Sequence, residues 1–182
     1  MQNFNRTIKS FRKNGIRKII KYYMKYLIIY FIFFITFISL SKEIILKIEG
    51  SGRGKEYEEM QLENNSKVVL YKTEGNFKTD LDLYGSADCL GVFKKINNAA
   101  DLDLTCEFVD QYNNEMWATL LRKTEDIDAG VGRMLIIGGT GRWRYLKGTT
   151  CKYAVTLNKS IWFTTTICKV NEEKFTKFKE NL

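Results

Sequence analysis

The sequence predicts an all-β fold: an eight-stranded antiparallel β-barrel preceded by an N-terminal hydrophobic helix. Three observations carry the barrel. The 182-residue chain has no proline, and aromatic residues, threonine, valine and isoleucine are plentiful in its second half. Such side chains suit a half-buried pleated surface better than a helical bundle. Beyond position 41 the hydrophobic residues alternate: Leu102, Leu104, Cys106 and Phe108 fall on one face of an extended chain, Asp101, Asp103, Thr105 and Glu107 on the other. The connectors "EGNF", "VDQYNNE" and "TLNKS" are short and turn-like, at hairpin distances. A sandwich fits the same pattern, but closure into a barrel also removes the exposed edges.

In chain order, residues 1–26 hold eight basic residues, from Arg6 to Lys25, and no acid. An uncharged, strongly hydrophobic run of 14 residues follows at 27–40. A basic head before an apolar body is a membrane-targeting pattern. The length suits a signal peptide, whose apolar region is about 7–15 residues, better than a spanning helix of about 20. Ser39-Leu40-Ser41 offers a small-x-small cleavage site, while the long basic region also suits an uncleaved anchor at 22–41. Both versions place the following domain outside the cytoplasm, periplasmic or secreted. The chain divides into a leader at 1–41, a barrel domain at 42–170 and a polar tail at 171–182. The tail, "NEEKFTKFKENL", reads as a solvated end, with a short surface helix as the alternative.

The net charge of +8 does not signal nucleic acid. All of the excess lies in the leader, and the remaining 21 basic residues meet 21 acidic ones, so the folded part has no basic footprint. The absence of histidine removes Ser-His-Asp and Cys-His nucleophile pairs and any His-ligated metal. Neither a metal nor a cofactor is expected.

Export gives the four cysteines a meaning, since an even number in an oxidising compartment reads as disulfides. Cys89 and Cys106 flank one segment, Cys151 and Cys168 another, with the same spacing in both. A hairpin turning at Lys159-Ser160 sets Cys151 directly opposite Cys168, and one turning at Asn97-Asn98 does the same for Cys89 and Cys106. Directly opposed, non-hydrogen-bonded residues of an antiparallel pair lie close enough for a disulfide. A register slip of one residue would spoil either match.

The strand-like runs are "EIILKIEG", "SKVVLYKTEG", "NFKTDLDLYGSA", "DCLGVFKKI", "DLDLTCEFVD", "EMWATLLRKT", "GRMLIIGG", "GTTCKYAVTL" and "SIWFTTTICKV". Within the last part of this series stands "IIGGTGRWRYLKG". A dinucleotide-binding G-x-G-x-x-G needs a strand before it, a helix after it and a parallel sheet. Here Arg144 stands where the third glycine belongs, and an alternating strand follows. The glycines serve a backbone turn between strands, where they permit positive φ and close approach.

At Gly138, Gly139, Thr140, Gly141 and Gly148 the chain resembles the GGTG signature shared by allene oxide cyclases and dirigent proteins. Arg142 and Trp143 stand where that signature carries a basic residue and an aromatic. "DAGVG", Asp128 to Gly132, looks like the loop that leads into it. The resemblance, to an exported member of bacterial type, implies an eight-stranded calycin-like barrel with an apolar or mixed cavity. In the cyclases it would imply a carboxylate and an ordered water acting on a fatty-acid epoxide, in a pocket that includes proline. In dirigent proteins it would imply an acidic residue guiding radical coupling. Those positions lie outside the matched segment, so fold travels with the motif and chemistry does not.

Four side chains are candidates for ligand contact. Arg122 shares its strand face with Met116, Ala118 and Leu120, which sets a charge at the end of an apolar face. Tyr153 shares a face with Cys151 and Val155, a core position that also borders any cavity. Trp143 and Tyr145 flank the glycine turn and could stack on a ligand or pack over the turn. The acidic face of Asp101, Asp103 and Glu107 reads as solvated. The preferred function is a non-catalytic, exported module that binds a small apolar or lipid-like molecule or a partner; the alternative is an isomerase or cyclase acting on a lipid-like substrate. Cleavage of the leader would yield a mature N-terminus near Lys42 by mass spectrometry, and an anchor would leave Met1 intact in the membrane fraction; a soluble cytosolic form would defeat both.

Overall fold

Period-two alternation runs through the barrel in the structure, a computed structural model. It describes residues 42–181 apart from Asn98 and Ile127, together with Tyr26. The expected hydrophobic helix and leader otherwise lie outside the described residues, among which no helix is long and apolar enough to cross a membrane. The strands are β1 (Glu43–Gln61), β2 (Lys67–Thr79), β3 (Tyr84–Ile96), β4 (Ala99–Asp110), β5 (Glu115–Thr124), β6 (Ala129–Gly139), β7 (Thr150–Asn158) and β8 (Ile161–Asn171). Each pairs antiparallel with its neighbour in sequence, and β8 pairs with β1, so the eight strands form a closed barrel. Along β4, Leu102, Leu104, Cys106 and Phe108 are buried while Asp103, Thr105 and Glu107 face water.

Turn chemistry compensates for the missing proline. Asn64, Asn65, Asp82, Asn97, Asn113 and Lys159 take φ between 56° and 59°, a left-handed conformation that Asn and Asp tolerate best after glycine. The turns β1–β2, β3–β4, β5–β6 and β7–β8 lie at one end of the barrel, the mouth. The other end carries the turns β2–β3 and β4–β5, a 3₁₀ turn at Gly141–Leu146 between β6 and β7, and helix α1 (Glu172–Glu180).

Both cysteine pairs sit in direct register, Cys89 opposite Cys106 and Cys151 opposite Cys168. Both are disulfides, with Cα atoms 4.0 and 4.1 Å apart. Each closes a hairpin, and restricting a loop of this length in the unfolded chain contributes about 3 kcal/mol of stability. Two disulfides fit an oxidising, extracytoplasmic compartment.

Three expectations change. "EGNF" is not a turn: Glu74 to Phe77 run through the middle of β2, and the run "NFKTDLDLYGSA" is split instead by a turn at 80–83. Gly75 misleads because it marks a close approach: a Cβ there would stand 2.3 Å from the Ser51 carbonyl oxygen and 2.6 Å from the Trp162 ring. β1 extends well past "EIILKIEG" through a glycine-rich, charged segment, with a bulge at Tyr57. The tail is not a solvated end. Asn171 caps α1 by accepting a hydrogen bond from the Glu173 N–H at 2.8 Å, and Phe178 is fully buried with its ring 5.1 Å from that of Trp143.

The GGTG turn builds the closed end. Thr140 Oγ1 accepts from the Glu115 N–H at 2.8 Å, and the Thr140 N–H donates to the Glu115 carbonyl. Gly141 has φ +49° and packs directly on Asn114. The chain then delivers Trp143 into the core, where its indole N–H donates to Asp110 Oδ2 at 3.0 Å and its ring meets Phe77 and Phe178. Asp110 is buried but satisfied: its other oxygen accepts from the Tyr112 and Asn114 N–H groups at 2.9 Å, and Arg142 Nε lies 3.9 Å from Oδ2. Gly141→Val should therefore destabilise the domain by about 1–3 kcal/mol through strained φ and the clash with Asn114, read as a lower melting temperature. Millimolar ATP or NAD should leave the wild-type melting temperature unchanged; a rise would reinstate a phosphate loop.

Candidate functional site

Inward-facing residues between the mouth and the closed end surround a cavity of about 350 Å³. Its lower wall is apolar, with Ile48, Phe77, Ala87, Leu104, Phe108 and Met134. Its upper wall carries Tyr71, Arg122, Tyr153 and Trp162 from β2, β5, β7 and β8, and Thr73, Thr164 and Thr166 also border the space.

The cavity exists because three of these large rings lie along the wall. Trp162 is paired with Gly52, which is paired in turn with Gly75, and a Cβ on either glycine would come within 2.6 Å of the indole. Tyr153 pairs with Gly132, where a Cβ would stand 2.4 Å from its ring. The Tyr71 hydroxyl occupies the space over Gly54, where a Cβ would fall 1.7 Å from it. Glycine in a strand costs stability and marks the places where another group must approach the backbone.

Two donors in this wall have no hydrogen-bond partner among the described residues, the Tyr153 hydroxyl and the Trp162 indole N–H. Burial pushes the Tyr153 hydroxyl up to about 12, opposed by the positive charge of Arg122. Burial likewise raises Tyr71, helped by the charge of Glu56 and opposed by Arg122. Arg122 thus lies within electrostatic reach of both phenols, and it is only 5% exposed. At the rim, Lys67 Nζ donates to Glu56 at 2.9 Å and to Glu59 at 2.8 Å. That contact holds the Glu59 carboxyl below its ordinary range and raises Lys67.

Of the four candidates from the sequence, Arg122 and Tyr153 line the cavity and come together in its upper half. Trp143 and Tyr145 do not line it. Trp143 is fully buried in the closed end, and Tyr145 is half-buried outside it, with the Arg144 guanidinium 5.4 Å over its ring. Gly138, Gly139, Thr140, Gly141 and Gly148 likewise belong to the closed end and not to the cavity wall. Sequence reasoning missed Tyr71, Trp162 and the Glu56–Lys67–Glu59 rim. The signal for the rings was an inward aromatic set against a glycine of the neighbouring strand, as Tyr71 is with Gly54 and Trp162 with Gly52. No protein-family model and no curated protein matches the chain.

The raised Tyr153 gives an alkaline test. A tyrosine in the unfolded chain ionises near 10, so the neutral phenol favoured by folding contributes stability that is fully present below about pH 10. It is lost as pH rises through about 12, by an amount on the order of 3 kcal/mol. Denaturant unfolding across this range should show the decline, and Tyr153→Phe should flatten it; an identical decline in the variant would place Tyr153 in water.

Proposed function

We propose that the barrel is an exported, non-catalytic binding module that holds a small apolar or lipid-like molecule in its lumen. The observation that carries this reading is the cavity itself, a mainly apolar space closed at one end with a few convergent polar groups, at the lower end of the about 300–1,000 Å³ usual for ligand pockets. A barrel packed solid with side chains would have supported a structural role instead. The two disulfides support an oxidising destination, and the basic, apolar leader supports export by a signal peptide or anchor. The resemblance of "GGTGRWRYLKG" to the cyclase and dirigent signature is in keeping with a cavity-bearing barrel.

The alternative, an isomerase or cyclase on a lipid-like substrate, needs a carboxylate placed against the reacting atoms. The carboxylates that border this cavity, Glu56 and Asp128, belong to the mouth end, and Glu56 is held by Lys67. Binding without chemistry is therefore the better supported reading.

A ligand that binds only the folded barrel raises its stability by about 2.7 kcal/mol at a hundred times its dissociation constant. Saturating decanol should accordingly raise the melting temperature by several degrees. Ala87→Phe, which adds a ring at the cavity floor, should abolish the rise while the variant still melts cooperatively. An equal rise in the variant would place the alcohol outside the lumen.

A further inference from the structure

We infer that the ligand carries a carboxylate, which Arg122 and Tyr153 hold in the upper lumen while its apolar body lies below against Phe77, Phe108 and Met134. This rests on the reading of the barrel as a binding module and adds the chemical class of what it binds.

Arg122 sets the sign. A guanidinium does not lose its proton at accessible pH, and a cation withdrawn from water to 5% exposure strongly favours a negative group beside it. Its side chain borders the lumen, so an anion that enters meets the charge. Tyr153 supplies the second contact: its residue is 3% exposed, its hydroxyl has no partner among the described residues, and it borders the same space. The charge of Arg122 acts on both Tyr153 and Tyr71, which gathers one cation and two phenol donors into one part of the wall.

The rest of the cavity selects an amphiphile with a single charge. Arg122 stands two residues before the mouth end of β5, whereas Phe77 and Phe108 stand two residues from the closed ends of β2 and β4. Polar groups above and rings below match a head and a tail. At the rim Glu56 and Glu59 both accept from Lys67, which offsets part of their negative charge, and Lys159 borders the same opening. A carboxylate presents two oxygens in the plane that a guanidinium matches. A dianionic phosphate would leave a second charge uncompensated in an apolar space. A volume of about 350 Å³ holds roughly a dozen water-sized groups, which suits a medium-chain acid.

The test compares decanoate, decanol and decylamine at neutral pH by calorimetry on the barrel with its disulfides intact. Decanoate should bind at least about tenfold more tightly than decanol, the worth of a charge-assisted hydrogen bond, and decylamine should bind most weakly. Arg122→Met should erase the preference for decanoate and leave decanol affinity unchanged, and Arg122→Lys should restore part of it. Tyr153→Phe should reduce the decanoate-to-decanol ratio a few-fold. Should Arg122→Met fail to fold by circular dichroism, Tyr153→Phe decides: a reduced ratio supports the site and an unchanged one overturns it. Equal binding of decanoate and decanol to the wild type, or a preference that survives in Arg122→Met, overturns the carboxylate site and leaves the binding module standing. Binding of none of the three probes overturns both.

Discussion

An eight-stranded barrel is just wide enough for its own side chains to fill, so a lumen of about 350 Å³ depends on where its largest rings go. Tyr71, Tyr153 and Trp162 all point inward, and any of them standing upright would cross much of the space. Each lies down because a neighbouring strand offers bare backbone: Gly54 under the Tyr71 hydroxyl, Gly132 under Tyr153, and the pair Gly52 and Gly75 under Trp162. The strands lose the β-propensity that a branched residue would bring there. In return the rings shield the exposed backbone and leave the interior open. The polar character of the upper wall follows from the same arrangement, since it is the laid-down rings that bring the hydroxyl and indole donors to the cavity surface.

The two ends of the barrel are built on opposite terms. At the closed end polar groups are satisfied: Asp110 accepts from the Trp143 indole and two backbone N–H groups, and Trp143 is wedged between Phe77 and Phe178. A buried carboxylate in such a network specifies one arrangement, because leaving it partly satisfied costs more than an apolar replacement. The GGTG turn, the β4–β5 turn and α1 are thereby fixed to one another. At the mouth the ion pairs of Lys67 are solvent-screened and individually weak, and the Tyr153 hydroxyl and Trp162 indole N–H of the wall have no partner among the described residues. Rigidity is concentrated at the base and hydrogen-bonding capacity above it.

How far the sequence could be read follows from the range of each signal. Alternation and hairpin spacing are local, and they located the barrel and both cysteine registers, since a strand pair with a short turn leaves little freedom of register. The closed end was half legible. Gly141 declared a turn, but the partner of Trp143 is Asp110, 33 positions away, with nothing local to announce it. Phe175 and Phe178, three apart in the tail, were the helical signal that the surrounding charges concealed. The cavity was least legible, because Gly75 and Trp162 meet only when β8 closes on β1. A glycine beside Glu74 and Asn76 has the composition of a turn until the strand across from it is known. Tyr153 was found because its strand alternates cleanly and Arg122 because it shares a face with Met116, Ala118 and Leu120, and Tyr71 and Trp162 were missed because their strands carry glycine or threonine on the same face.

The disulfides connect the compartment to the cavity. Cys89 borders the lumen, and Cys151 lies two residues from Tyr153 on the same face of β7. The bridges therefore clasp two hairpins at the level where their inner faces form the cavity wall. Their general effect is to raise the free energy of the unfolded chain. Their local effect is to limit the separation of β3 from β4 and of β7 from β8, which fixes the pairing of two stretches of the cavity wall. A wall fixed in advance spares a ligand the cost of ordering it. In an oxidising compartment, where the bridges persist, the barrel keeps both their contribution to stability and the fixed pairing of the strands that line its cavity.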